Sequence, residues 1–400
     1  MVLDLLRRIF STSTRPPPLG KQAFQTLPSL MESLNIHFFI ERTLTVADQA
    51  RDFETLGRIH HQVNDRSMDL LDAGATVEDL QLILMHLRER IIRRVIALCH
   101  REIHRYFKKT PSPFAWFLAG SEGRGEPSFL TDQDNLIVYA QGDTERVQDY
   151  FKILSGKIND RLNEVGFEAC KGGVMARNEE WRGSLSDWEQ RLQTLFSSLG
   201  KDLAENLKIL MYLSVLLDAR FFEGDCKVAE VFLPRVADRV RTNHRFMGQM
   251  AQIATLEKVA ITLFGHFRLS DEGGHHNALD IKNAGILPLV NSIRLLALKY
   301  EAEGTGTIKR TRNLERMGTF ESKFSKEIQE GFYLLTRTRL LNQMRNLQIG
   351  KKGDDFVTPS ELNGEDQEGL RRALSVVDRV KDRVYREFYL TMETAGVGTP

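Results

Sequence analysis

The sequence has no apolar run approaching the roughly 18–20 residues that cross a bilayer, so no membrane-spanning segment is expected. Cysteine is scarce. Cys99, Cys170 and Cys226 are scattered and odd in number, which excludes a disulfide framework and a zinc motif. A reducing cytoplasm is the expected setting. Net charge is nearly absent: 55 basic residues against 54 acidic ones leave a formal charge of +1. That balance, with no interleaving of aromatic and basic residues, gives nucleic acid no expected role, although a local basic cleft stays open. The opening MVLDLLRRIF places charges among its apolar positions and has no small-residue cleavage site, so it reads as an amphipathic stub rather than a signal peptide. No internal repeat and no low-complexity tract is found.

What is present is the composition of a globular protein, 42% hydrophobic and 27% charged over 400 residues. That length is too great for one ordinary core and implies two or three domains. Residues 1–27 are expected to be irregular because of the Ser/Thr/Pro-rich stretch STSTRPPPLG at 11–20. Residues 28–108 carry helical spacing. Their clearest helix starts at Thr76, which can cap it together with Asp79. Leu80, Leu84, Leu87, Ile91, Val95 and Leu98 then form one apolar stripe. Arg88, Arg90, Arg93 and Arg94 fall largely off that stripe and read as a solvated face.

Pro111-Ser112-Pro113 marks a change of texture. A domain over 109–233 follows, with short wholly apolar runs at Phe114–Ala119 and Leu136–Ala140 that read as buried strands. The apolar run 209–222 reads as helix or strand, and periodicity does not separate the two. Helices are expected at 145–165 and, in a second helical domain over 234–390, at 245–266, 286–302, 312–317, 322–346 and 366–390. Residues 391–400 form a tail, whose end is expected to fray.

The chemistry concentrates between the two apolar strands. Gly120-Ser121 ends the first, and Asp132-x-Asp134 opens the second. A strand alternates its side chains, so Asp132 and Asp134 share a face. Two carboxylates so close repel unless a cation lies between them. Mg²⁺ takes oxygen ligands and is usually held by one or two carboxylates plus substrate phosphates. Gly120 lets a triphosphate approach the backbone, and Ser121 offers N–H and O–H donors. No Gly-Lys-Ser/Thr follows, so this is not a P-loop. Arg124 can fork onto a phosphate or pair with Glu122 or Glu126. Trp181 and Trp188 read as core residues.

The block Phe117-Leu118-Ala119-Gly120-Ser121-Glu122-Gly123-Arg124-Gly125-Glu126, with Thr131-Asp132-Gln133-Asp134-Asn135, resembles the signature of bacterial nucleotidyltransferases related to the N-terminal domain of protein-PII uridylyltransferase, within the DNA polymerase β-like superfamily. Cys170-Lys171-Gly172-Gly173-Val174-Met175-Ala176-Arg177-Asn178, Trp181-Arg182-Gly183-Ser184, Leu217-Asp218-Ala219-Arg220 and Gly224-Asp225 carry the resemblance further. His275, Asp280, Lys282, Leu287-Pro288 and Arg339 resemble that family's substrate-binding domain.

The resemblance implies an α+β fold, a small mixed sheet flanked by N-terminal and C-terminal helical bundles. It implies that Asp132 and Asp134 bind Mg²⁺ or Mn²⁺ and that Gly120 and Ser121 hold a nucleoside triphosphate. The superfamily usually adds a third carboxylate; Asp218 is the candidate, with a buried ion pair to Arg220 or Arg124 as the alternative. Lys171, Arg177 and Arg182 are candidates for the phosphate or acceptor side. The expected reaction moves a nucleoside monophosphate to a protein or small-molecule acceptor and releases pyrophosphate. A catalytically silent nucleotide-binding module is the alternative. The cyclic-nucleotide-binding and CBS modules that precede many relatives are not expected here, nor is a phosphohydrolase His-Asp motif.

Overall fold

The computed structural model describes residues 36–130, 132–142, 144–256, 258–262, 264–271 and 274–390. The N-terminal stub, the Ser/Thr/Pro stretch, the C-terminal tail, Thr131 and Gly273 lie outside the described residues. The chain divides into two compact units, one of residues 1–184 with 222–225, the other of 185–221 with 226–400.

The first unit begins with three helices, α1 (Ile36–Gln49), α2 (Phe53–Asp72) and α3 (Val77–Phe107). Thr76 caps α3 as expected: its Oγ1 accepts from the Asp79 backbone N–H at 3.2 Å and donates to the Asp79 carboxylate at 2.7 Å. The whole apolar stripe of α3 is buried.

The arginines of α3 depart from the expected solvated face. Arg88 is buried and donates to the carbonyls of Ser128 and Phe129 and to the Asn64 side chain. Arg90 pairs with Asp48. Arg93 donates to the Phe222 carbonyl, pairs with Glu223 and lies 4.3 Å over the Phe222 ring. Arg94 donates to the Ala50 carbonyl. The planar guanidinium satisfies several acceptors at once, so these side chains pin the 48–50, 128–129 and 222–223 segments to one helix.

A four-stranded sheet follows. Its strands are β1 (Phe114–Leu118), β3 (Asn135–Tyr139), β5 (Arg182–Ser184) and β6 (Arg220–Gly224), in the order β5-β3-β1-β6. β1 and β3 run antiparallel and β3 and β5 parallel, which makes the sheet mixed. Every residue of β1 and β3 is buried, the pattern of strands covered on both faces. Helix α5 (Glu145–Val165) packs on α2 and α3 and stacks Phe151 on Tyr139 at 4.3 Å. Gly224 ends β6 at φ +103, where a Cβ would lie 2.3 Å from the Phe114 carbonyl oxygen, so only glycine allows this approach to β1. A second pair, β2 (Asp132–Gln133) and β4 (Glu168–Ala169), is parallel.

The second unit is helical: α6 (Leu185–Ser198), α7 (Leu203–Leu216), α8 (Cys226–Arg241), α9 (His244–Leu256), α10 (Leu287–Lys299), α11 (Thr307–Arg316), α12 (Ser322–Gln348) and α13 (Gly364–Tyr385). The ambiguous run 209–222 resolves as the end of α7 followed by β6. The helix expected over 245–266 stops at Leu256. The β-branched segment beyond it forms bridges Ile261↔Phe267 and Ser270↔Ala278 instead. A two-stranded pair, β7 (Leu279–Asp280) with β8 (Phe356–Val357), completes this unit. No helix among the described residues is long and apolar enough to cross a membrane.

Candidate active site

After β1 the chain turns at Gly120 into a single helical turn, α4 (Gly120–Arg124). Gly120 adopts φ +55, and a Cβ there would lie 2.0 Å from Asp134 Oδ2. Any other residue would collide with the carboxylate. The Ala119 N–H donates to the Asp134 carbonyl at 2.9 Å, which closes the ends of β1 and β3 over this point.

Alternation along residues 132–135 sorts the motif into two functions. Gln133 and Asn135 point inward, and Asn159 of α5 donates to both, at 2.7 and 3.0 Å. Asn135 also accepts from the Ala176 N–H, and Asn159 from the Arg177 N–H. Gln133 donates to the carbonyls of Asn159 and Phe167. This buried amide network fixes β2, β3, α5 and the 174–177 loop in one register. Asp132 and Asp134 are left on the other parity, neither of them buried.

The β2–β4 ladder pairs Asp132 with Glu168 and Gln133 with Ala169, which carries Cys170 alongside Asp134. Ligand atoms of Asp132, Asp134 and Cys170 all lie within 4.8 Å of one another. The Cys170 thiol hydrogen-bonds to Asp134; burial first, and then the two aspartates, push it up to about 12. Gly173, at φ +73, closes the turn through its N–H to the Cys170 carbonyl. Two carboxylates and a thiol converging beside a glycine that leaves Asp134 no steric cover are a donor set that fits a divalent cation.

The other candidates fall into different places. Ser121 is half-buried beside Gly120, and its carbonyl accepts from Glu126 N–H. Arg124 donates from Nε to Glu126 at 2.6 Å in a nearly buried pair, one of the two ion pairs expected as the alternative to a phosphate contact. Arg182 donates to the carbonyls of Ala176 and Arg177 and so clamps the loop behind the amide network. Arg177 pairs with Asp160. Lys171 is exposed, next in sequence to Cys170. Trp181 and Trp188 are core residues, and Trp188 packs edge-on against Phe232.

Asp218 lies in the second unit and is 1% exposed. Arg294 donates to both of its oxygens, at 2.9 and 2.5 Å, and Arg310 adds a third bond at 3.0 Å. Both of these arginines belong to the second unit. Both carboxylate oxygens are committed to guanidinium groups, so the geometry gives a third-carboxylate role no support. Asp218 acts here as the anion that lets two arginines be buried.

Three features escaped sequence reasoning. Arg88 lies at an apparently solvated helix position, the amide network joins distant segments, and Cys170 meets the aspartates only through strand pairing. The one readable signal was the polar pair Gln133 and Asn135 at the parity opposite to the aspartates.

In the second unit the residues resembling a substrate-binding domain gather around Asp354–Phe356. His275 stacks on Phe356 at 4.4 Å and lies 3.4 Å from Asp354. Arg339 donates twice to Asp355, at 2.6 and 3.1 Å. Burial raises the Asp355 pKa, but Arg339, Lys282 and Gln343 together outweigh that and hold it below the usual carboxylate value. Asp280 accepts from the Asn283 N–H at 2.9 Å.

Residues 51–202 match the family model described as "Putative nucleotidyltransferase DUF294". Residues 244–388 match the model described as "Putative nucleotidyltransferase substrate binding domain". No curated protein matches the chain. The two matches follow one another in sequence and cover most of the chain, and the chain belongs to this nucleotidyltransferase family.

Proposed function

We propose that the chain transfers a nucleoside monophosphate from a nucleoside triphosphate to a protein or small-molecule hydroxyl, releasing pyrophosphate, with Mg²⁺ or Mn²⁺ held by Asp132 and Asp134. The observation that carries this reading is the placement of Gly120 against Asp134, with Asp132 and Cys170 within ligand reach. A bound cation would neutralise triphosphate charge and stabilise the attacking and leaving oxygens of an in-line displacement. The chain's own residues position. Gly120 admits the triphosphate close to the backbone, and Ser121 donates to a phosphate oxygen. Lys171, exposed and next in sequence to Cys170, supplies a mobile positive charge to the same phosphates. Arg182 acts at one remove by holding the 176–177 carbonyls, and Arg124 by holding Glu126. A protein hydroxyl is the acceptor by analogy with protein-PII uridylylation, and residues 244–388, which match a substrate-binding domain model, bind it. A cytoplasmic location belongs to this reading.

One observation favours the silent alternative: the third donor beside the two aspartates is a thiol, where the superfamily usually has a carboxylate. The purified chain, incubated with Mn²⁺, cell extract and triphosphate labelled at the α or the γ position, separates the two. α-Label on an acceptor with γ-label in pyrophosphate is the expected result. Nucleotide binding with label on no acceptor, for all four bases, would favour the silent module.

A further inference from the structure

The thiol of Cys170 has no part in the reaction above, yet β2–β4 pairing delivers it to the cation-binding carboxylates. It is also held there. Gly173 N–H closes the turn onto its carbonyl, Asn135 N–H ties the Val174 carbonyl to β3 at 3.0 Å, and the Gln133–Ala169 pairing holds the residue just before it.

We propose that Cys170 is a third ligand of the cation site, giving it a carboxylate–carboxylate–thiolate donor set that prefers thiophilic divalent ions such as Zn²⁺ and Cd²⁺ to Mg²⁺. The proposal rests on the reading that Asp132 and Asp134 hold a cation. Donor softness sets the preference: carboxylates alone suit Mg²⁺ and Mn²⁺, whereas one sulfur ligand shifts affinity toward softer ions. Binding such an ion forms a metal–sulfur bond, breaks the S–H bond and sends one proton to solvent; no electrons change hands. Mg²⁺, which forms no useful bond to sulfur, uses the two carboxylates and leaves the thiol protonated on Asp134. The same site therefore takes two classes of ion with different donor sets, and a thiophilic ion displaces Mg²⁺ from the position that serves the triphosphate.

The other cysteines are controlled for readily. Cys99 is buried in α3, and Cys226, exposed, opens α8. The test titrates the full chain with Cd²⁺ and follows the ultraviolet thiolate-to-cadmium absorption, in the wild type and in Cys170→Ser, Asp134→Asn and Cys226→Ser. Mn²⁺ binding is measured in parallel by the loss of the free-ion paramagnetic signal. The band is expected in the wild type and in Cys226→Ser at one ion per chain, and absent from Cys170→Ser and Asp134→Asn. Cd²⁺ affinity is expected to fall by about ten- to a hundredfold in Cys170→Ser, with Mn²⁺ affinity changing little. A band that persists in Cys170→Ser, or wild-type protein that binds Mn²⁺ but gives no band with Cd²⁺, overturns the proposal and leaves the two-carboxylate site standing. Wild-type protein that binds neither ion overturns both.

Discussion

Gly120 and Asp134 show how tightly single residues are specified here. Gly120→Ala would place a methyl group 2.0 Å from the Asp134 carboxylate at a left-handed φ. Its expected effect is a loss of about 1–3 kcal/mol of stability together with loss of transfer, checked by urea unfolding beside the activity assay. Asp132→Ala and Asp134→Ala are expected to behave differently. Neither side chain is buried, so stability should stay within about 0.5 kcal/mol of wild type while transfer is abolished. Unfolding curves that move as far as those of Gly120→Ala would make the aspartates structural. These residues were legible in the sequence because their logic is local: strand alternation and a glycine at a turn need only short spacing. Cys170 was not legible as a partner, because its position depends on which strand β4 pairs with.

At the scale of elements, the long helix α3 was readable from its stripe and its cap, and its arginines were misread. A helical wheel tells which side chains leave the apolar stripe but not whether another segment covers them. Arg88 is off the stripe and still buried, because the 128–129 carbonyls lie over it. The amide network is expected to matter in the same way. Asn159→Leu would leave Gln133, Asn135 and the Arg177 backbone N–H each short of a partner, at a cost of about 1–3 kcal/mol for each buried group that finds no water. Because the network also sets the 174–177 loop, transfer should fall more than stability alone explains, which single-turnover rates measured on folded protein would show. Asp218 gives the sharper contrast. Asp218→Ala strands Arg294 and Arg310 without their anion and is expected to cost about 3–5 kcal/mol in denaturant unfolding. Unchanged stability with lost transfer would instead restore Asp218 to the catalytic set.

The whole molecule carries a built-in sensitivity to acid. Burial holds His60 at about 3, and burial with His104 nearby holds His100 at about 4, both well below the ordinary 6.5. Unfolding frees these rings to take protons. Their contribution to stability is therefore intact above about pH 6.5 and is lost as the pH falls toward 4 and then 3. His60→Leu should flatten that fall, as read from urea midpoints between about pH 7.5 and pH 5. The α+β class and the family were legible because short motifs and runs of helical spacing carry them. The division into units was not, since residues 222–225 return to the first sheet after an excursion that local pattern does not announce. Whether Asp132 and Asp134 hold the cation for nucleotidyl transfer is decided in one assay. Wild-type, Asp132→Ala and Asp134→Ala proteins are incubated with Mn²⁺, cell extract and each α-labelled nucleoside triphosphate, and acceptor-bound label is counted. Label from the wild type alone is the result expected; equal label from either aspartate variant would remove that residue from the cation site.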